Sequence, residues 1–352
     1  MKVLYLTKYS QNGASSRLRS YQYFPLLAAN GILVTVSPFF DEDYLLNLYS
    51  GNRIGKRKFL KFYLTRFITL FSIHKYDKIV IEKELFPYFF SWFEKILRLL
   101  KVKYSVDYDD AIFHNYDLSS NKLISFLLKN KINNVMKYSD CVIVGNNYLA
   151  ERAQYSGAKK IILLPTVIDI DRYKVKNEYS SAPIVIGWIG SPTTFKYVQK
   201  SASVFSKLLQ KENIELHIVG ATEDLGLGDK VKYLKWSEES EVALISNFDI
   251  GIMPLENSPW ELGKCSYKLI QYMGCGIPVV ASAVGMNNQV VDEGINGFLV
   301  QTDEQWLDRL TLLANESSLR EKLGKMGRKK IESQFNLQKN ATILLTILLD
   351  EY

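Results

Sequence analysis

The stretch Gly263–Ser282, GKCSYKLIQYMGCGIPVVAS, runs directly into AVGMNNQVVDEGINGFLV and decides the fold class of this chain. Lys264 and Lys268 stand four residues apart on a predicted helix, which places both on one face. Cys275-Gly276-Ile277-Pro278 ends that helix, and Val279-Val280-Ala281 reads as a buried strand. Gly285, with Asn287 and Asn288, opens a further helix whose unpaired N–H groups suit an anion. Helix, buried strand and glycine-opened helix in that order form the repeating unit of a parallel α/β sheet, here with an anion site attached.

Working outward, short apolar runs alternate with helix-length segments along the whole chain. Val3–Leu6, Leu33–Ser37, Lys78–Ile81, Tyr104–Asp107, Cys141–Val144 and Ile161–Leu164 are the expected strands of a first series. Between them lie predicted helices such as Arg17–Asn30, Pro87–Leu100 and Lys122–Tyr138. A second series comprises Ile184–Ile189, Glu215–Val219, Val231–Leu234, Asp249–Met253, Pro278–Ala281 and Gly297–Val300. The segment from Pro165 to Pro183 is polar and bounded by prolines, as a linker would be. The expected fold class is therefore α/β, with two Rossmann-like doubly wound domains over residues 1–165 and 183–335. The C-terminal helix within 337–352 is apolar on one face and is expected to cross back to the first domain.

Composition limits the function. A chain of 352 residues, 47% hydrophobic, is long enough for two cores. The three cysteines, Cys141, Cys265 and Cys275, have no metal-ligand spacing, which points to free thiols in a reducing compartment. No apolar run reaches the roughly 20 residues of a spanning helix, and MKVLYLT is too short for a signal-peptide core, so a cytoplasmic location is expected. The net charge of +7 is uneven: Met1–Pro165 holds 24 Lys and Arg against 13 Asp and Glu, and the remainder holds 20 against 24. From Tyr44 to Tyr76 there are seven basic residues (Arg53, Lys56, Arg57, Lys58, Lys61, Arg66 and Lys75) and no acid, interleaved with Phe59, Phe62, Tyr63, Phe67 and Phe71. Residues 53–71 thus read as a basic aromatic helix lying on an anionic membrane surface, against the alternative of a solvated basic face. A nucleic-acid partner is not expected, since no recognition motif accompanies the charge.

Further candidate sites follow predicted strands. GWIGSPTTF (Gly187–Phe195) precedes a helix expected over Lys196–Gln210. Gly190 permits close backbone approach there, and Ser191, Thr193 and Thr194 bring hydroxyls to where an open parallel sheet binds phosphate. A plain strand-to-helix turn is the alternative. It is not a dinucleotide fingerprint. Near the N-terminus, Gly13 leads into a helix with Arg17 and Arg19 in its first turns, an arrangement suited to clamping an anion or, alternatively, to solvation. Asp107-Tyr-Asp109 has a metal-binding spacing, but the pattern is common and no metal is expected. Asp110 and, four residues on, His114 follow the same strand and are the candidate polar groups beside a reacting sugar, a structural histidine being the alternative.

These motifs together resemble the family 4 glycosyltransferases of GT-B fold. The family's order is kept over nearly the whole chain: the Gly13 loop, Asp109-Asp110 at a strand end, GWIGSP, Asp249-Ile-Gly-Ile-Met-Pro-Leu, GKCSYKLIQYMGCGIPVVAS and NGFLV. The resemblance implies two domains facing each other across a cleft, and a retaining, metal-independent transfer of sugar from a nucleotide-diphosphate sugar. It implies that Gly190, Ser191, Thr193, Lys264 and Lys268 surround the diphosphate, that Gly13 borders the sugar, and that Asp110 and His114 face the reaction. The family's two glutamates, eight positions apart, align here with Gly263 and Gln271. Gln271 can still meet a ribose hydroxyl, while the sugar contact passes to Glu261 or Trp260. A nucleotide-sugar epimerase, or a subunit that binds nucleotide sugar without transferring it, uses the same parts. The basic helix in the acceptor domain suggests a glycan or polyprenyl-diphosphate-linked acceptor at the inner membrane face.

Overall fold

In the computed structural model, twelve strands paired in parallel build two six-stranded sheets. The structure describes all residues except Ser50, Gly51, Arg53, Ser180, Ser181, Glu212 and residues 350–352, so Arg53 of the expected basic helix and the end of the C-terminal segment lie outside the described residues. The first sheet comprises β1 (Lys2–Leu6), β2 (Leu33–Val36), β3 (Lys78–Glu82), β4 (Tyr104–Tyr108), β5 (Cys141–Val144) and β6 (Ile161–Leu163), in the order β2-β1-β3-β4-β5-β6. The second comprises β7 (Ile184–Ile189), β8 (Ile214–Val219), β9 (Val231–Leu234), β10 (Ile250–Met253), β11 (Val279–Ser282) and β12 (Gly297–Val300), in the order β12-β11-β10-β7-β8-β9. Every strand read from the sequence is present, with ends within one residue.

The strands form because their apolar runs are nearly unbroken and can be buried on both faces. β3, β4, β5 and β10 have almost no exposed residue. In the second sheet Trp188, Phe195, Phe205 and Leu208 share one buried core with Ile250 and Leu310. Fully burying each such side chain contributes about 1.5–3 kcal/mol. In both sheets the strand order reverses beside the first strand, at β1/β3 and at β7/β10, and ligands of open α/β sheets bind outside the carboxyl ends of the strands at such points.

The chain divides into two compact units, one of Met1–Thr166, Gly263–Cys265 and the residues from Gln338 onward, the other of Val167–Leu262 and Ser266–Leu337. The polar segment read as a linker from Pro165 to Pro183 is mostly a packed strap of the second unit. Val167, Ile168, Tyr173 and Tyr179 are buried in it, and Ile168 exchanges backbone hydrogen bonds with Phe335 and Leu337 at 3.1 and 2.9 Å.

Three long helices of the sequence reading are each broken in two. Arg17–Asn30 becomes Ala14–Arg19 and Phe24–Ala29 around a tight turn, because Pro25 supplies no N–H. Lys122–Tyr138 becomes Lys122–Leu128 and Lys131–Tyr138, and Lys196–Gln210 is replaced by Pro192–Lys200 and Ala202–Leu209. Pro87–Leu100 shortens to Trp92–Leu99, since Tyr88 takes a left-handed backbone at φ 54°.

Candidate functional site

In the second unit, Gly190 and Ser191 carry the chain from β7 into the helix Pro192–Lys200. Proline at the start of the helix wastes no N–H there. Ser191 is extended, and its Oγ lies 2.8 Å from Thr193 Oγ1 and 3.5 Å from Thr194 Oγ1, which gathers three hydroxyls in one turn. A Cβ on Gly190 would come within 2.5 Å of the Trp188 ring and 2.9 Å of Lys268 Cε. Gly220, at the end of β8 with φ +86°, is equally bare: a Cβ there would lie 2.3 Å from the Gly190 carbonyl oxygen. Lys268, in the first turn of the helix Tyr267–Gly274, therefore lays its side chain across Gly190, with Nζ 5.7 Å from the Trp188 ring. A cation, three hydroxyls and a helix N-terminus around bare backbone make a place where phosphate oxygens can be held.

The other candidates around this helix are placed differently. Lys264 does not share a helix face with Lys268: the helix begins only at Tyr267, after Ser266 in a left-handed conformation at φ 52°. Gly263–Cys265 groups instead with the first unit, where the Lys264 carbonyl accepts from Asn146 Nδ2 at 3.0 Å and Cys265 Sγ donates to the Asp109 carbonyl at 2.8 Å. Burial there pushes the Cys265 thiol up to about 12. Asn287 is fully buried in a helix of only four residues. Its Oδ1 accepts from Ser266 Oγ at 2.7 Å, and its Nδ2 donates to the Ser282 carbonyl at 2.9 Å. The Gln271 Nε2 is committed to Glu241 at 2.7 Å and to Tyr173 at 3.2 Å, which leaves its Oε1 as the atom that would accept from a ribose hydroxyl. Glu261 is buried and accepts from the hydroxyls of Tyr197 and Ser258. Each of these three side chains has hydrogen-bond partners within the second unit.

The first unit has a different chemistry at its strand ends. Glu82, the last residue of β3, is buried and accepts from the Lys8 N–H at 2.8 Å and from Ser16 and Ser20 hydroxyls at 2.5 Å each. Burial raises its carboxyl, and those hydrogen bonds oppose the rise. This hub seats the helix Ala14–Arg19 that Gly13 opens. Gly13 folds so closely over Tyr9 that a Cβ would lie 2.3 Å from the tyrosine Cβ. Arg19 is no anion clamp. Its guanidinium grips Asp107 through Nε at 2.9 Å and Nη2 at 2.5 Å and donates to the Leu164 carbonyl. Asp107 is thereby spent, so Asp107 and Asp109 do not converge as a metal pair, and among the described residues no group of three His, Cys, Asp or Glu is arranged to hold a metal.

Lys83, which the sequence reading passed over, organises the rest. It is buried in a left-handed conformation at φ 65°, with Nζ 2.9 Å from Asp109 and 3.5 Å from Asp110. A non-glycine residue at positive φ is costly and marks functional or over-determined sites. Burial works to raise the Asp109 carboxyl, but Lys83, the Ser15 hydroxyl at 2.5 Å and Arg19 bring it down to about 2. Burial and the Lys83 charge lower the nearby Lys8 ammonium. The available signal was positional: IEKE immediately follows the apolar run of β3, where site residues of such sheets collect. Asp110 remains the more exposed carboxylate. Both ring nitrogens of His114 are engaged, Nδ1 with Asp117 and Nε2 with the Tyr148 hydroxyl, each at 2.8 Å.

Residues 183–316, all but Gly263–Cys265 of them in the second unit, match the family described as "Glycosyl transferases group 1". The capsular polysaccharide biosynthesis glycosyltransferase CapM of Staphylococcus aureus is 25% identical over 185 residues, 48% of this chain and 47% of that protein. The first curated relatives are spanned over about a third to a half of their own length. Among solved structures, sucrose-phosphate synthase of Thermosynechococcus elongatus superposes with a TM-score of 0.75 at 17% identity over 99% of this chain and 98% of that one. HepE of Anabaena in complex with UDP-glucose does so with a TM-score of 0.73 at 15% identity over 99% of this chain and 100% of that one. Residues 183–316 thus match the group 1 glycosyltransferase family, and the chain as a whole has the GT-B fold.

Proposed function

We propose that the protein moves a sugar, with retention of anomeric configuration and without a required metal, from a UDP-sugar to a glycan or polyprenyl-diphosphate-linked acceptor at the inner face of a membrane. The observation that carries the reading is Lys268 lying across Gly190 at the head of a hydroxyl-lined helix. Cleavage of an anomeric carbon–diphosphate bond leaves charge on the departing oxygens, and preorganised donors aimed there lower the barrier. The UDP-glucose complex of HepE supports uridine as the base, and CapM, named for capsular polysaccharide biosynthesis, supports a surface glycan as product. Asp110, the more exposed carboxylate, completes the reading as the group facing the acceptor, with Lys264 as a further cation and His114, held by Asp117 and Tyr148, as a positioning residue. No helix among the described residues is long and apolar enough to cross a membrane.

One observation favours a second reading. At Gly263, where the family commonly has the donor-sugar glutamate, a Cβ would lie 2.5 Å from Ala111 Cβ and 2.6 Å from the Ala111 nitrogen. The missing glutamate fits a subunit that binds nucleotide sugar through other contacts without transferring it. Calorimetry against UDP, GDP, dTDP and CMP and their sugars, with NAD as control, tests both readings. Selective uptake of UDP-sugars, with donor consumed only when acceptor is added, is the expected result. Binding with no consumption in the presence of membrane-extracted acceptors selects the second reading, and no binding by a folded sample overturns both.

A further inference from the structure

The basic helix expected at 53–71 is only partly what its sequence suggests. Arg66 is buried and donates to the Thr7 and Ser37 carbonyls at 2.8 and 3.0 Å, and Lys58 is paired with Asp41 and Asp43 at 3.3 and 3.1 Å. Lys56, Arg57 and Lys61 stay exposed. What the sequence did not announce is the apolar surface beside them. The helix Lys56–Leu70 exposes Leu60, Leu64 and Ile68, four residues apart on one stripe, and Phe71 follows, 69% exposed. The helix Trp92–Leu99 exposes Trp92, Ile96, Leu99 and, just beyond it, Leu100, again with helical spacing; Trp92 is 57% and Leu99 70% exposed.

One set of rings links the two stripes. Phe67 meets Phe93 edge-on at 5.9 Å, Phe93 lies 6.0 Å from Phe89, and Phe89 and Phe90 flank Trp92 at 5.7 and 4.7 Å. Lys95, Arg98 and Lys101 are exposed on the second helix or just after it. The single acid of the two helices, Glu94, is buried and accepts from the Leu85 N–H at 3.1 Å. Soluble surfaces seldom present apolar patches of this extent without an interaction to cover them. Aromatic and aliphatic side chains among cations, with no exposed acid on either helix, complement an anionic lipid headgroup layer over its acyl boundary.

We propose that the protein docks on anionic lipid through a two-helix wedge, in which Phe71, Trp92 and Leu99 enter the acyl boundary while Lys56, Arg57, Lys61, Lys95 and Arg98 hold the headgroups. This rests on the membrane reading above and adds insertion by the second helix to it. The full chain is sedimented with phosphatidylcholine vesicles, with and without phosphatidylglycerol. Wild type binds only the anionic vesicles. The charge variant Lys56→Gln/Arg57→Gln/Lys61→Gln weakens that binding about a hundredfold, at about a factor of five per cation. The wedge variant Phe71→Ser/Trp92→Ser/Leu99→Ser, made at exposed positions and checked for an unchanged melting curve, weakens it at least tenfold and leaves its salt dependence in place. The single variant Leu99→Ser provides the same test if the triple variant folds poorly. Lost binding in the charge variant with wild-type binding in the wedge variant overturns insertion and leaves the membrane reading standing. Indifference of wild type to anionic vesicles overturns both. A wild-type dimer that the wedge variant turns into a monomer, with vesicle binding unchanged, makes the patch a protein interface and overturns the proposal.

Discussion

The two units have sheets of like topology, yet the carboxyl ends of their strands are furnished in opposite ways. In the second unit the ends of β7 and β8 carry glycines, Gly190 and Gly220, so backbone lies bare beneath the Lys268 side chain. In the first unit the ends of β3 and β4 carry Glu82, Lys83, Asp107, Asp109 and Asp110, most of them buried and tied to one another or to the helix Ala14–Arg19. One end leaves backbone uncovered beside a cation. The other fixes charges in advance, so that whatever approaches meets a field already oriented. Preorganised charge of this kind costs no reorganisation during a reaction, but it must be stabilised by its own partners when no ligand is present.

The largest effect expected from this contrast falls on the charged end. Lys83→Met leaves Asp109 buried without its main cation and should destabilise the protein by about 3–5 kcal/mol in urea unfolding. The pH dependence gives the sign. Asp109, held down to about 2 when folded, contributes stability that is fully present above the ordinary carboxylate value of about 3.9 and is lost as pH falls through 2. Lys83 is raised, so its share is present below the ordinary lysine value of about 10.4 and disappears only in stronger alkali. A Lys83→Met protein whose stability still falls between pH 4 and pH 2 as steeply as wild type would remove this pair from the account.

Next in size is Lys268→Ala at the bare end. The side chain is half-buried and lies over a glycine, so the fold should persist, with a melting temperature close to wild type. Turnover should fall by about 10²–10³, the usual cost of losing one preorganised donor to developing charge. Unchanged turnover would detach the phosphate site from Lys268.

Gly190→Ala should be smaller and of mixed character. The new methyl meets the Trp188 ring and Lys268 Cε at 2.5 and 2.9 Å, and relieving that crowding costs about 1–3 kcal/mol in overpacked sites. Because the flexible end is the lysine, it should move first, and calorimetry should show weakened nucleotide binding before the melting curve shifts. A large loss of stability with donor affinity intact would mean that the tryptophan yields instead and that Lys268 is not where the phosphate is held.

The same contrast explains what could be read in advance. The twelve strands were legible because parallel strands buried on both faces are unbroken apolar runs, and Gly190 and Lys268, read as candidates from separate motifs, stand side by side in the structure. What spacing could not show for Glu261, Gln271 and Asn287 is that a buried polar side chain must find partners, and these have internal ones: Tyr197 and Ser258, Glu241 and Tyr173, Ser266 and Ser282. Sequence spacing cannot distinguish a polar group aimed at a ligand from one aimed into its own domain. Lys264 was misplaced by a single left-handed residue, Ser266, which restarts the chain before the helix. Lys83 was missed because its importance lies in a through-space relation to Asp109, 26 residues later in the chain.

The smallest expected effect concerns charge on the basic helix Lys56–Leu70 and separates sequence charge from available charge. Lys58 and Lys61 lie three residues apart on the same helix, and composition treats them alike. In the structure Lys58 is paired with Asp41 and Asp43, and its ammonium lies 5.9 Å from the Phe62 ring, whereas Lys61 is exposed. A cation already countered by two carboxylates adds little to the field a lipid headgroup feels, and releasing those carboxylates by Lys58→Gln adds a repulsion of similar size. Lys61→Gln should therefore weaken binding to phosphatidylglycerol vesicles about fivefold. Lys58→Gln should change it by less, and the change should vanish when Asp41 and Asp43 are also made asparagine. Equal losses for the two single variants would show that the helix acts through its total charge and that its ion pairs open at the membrane surface.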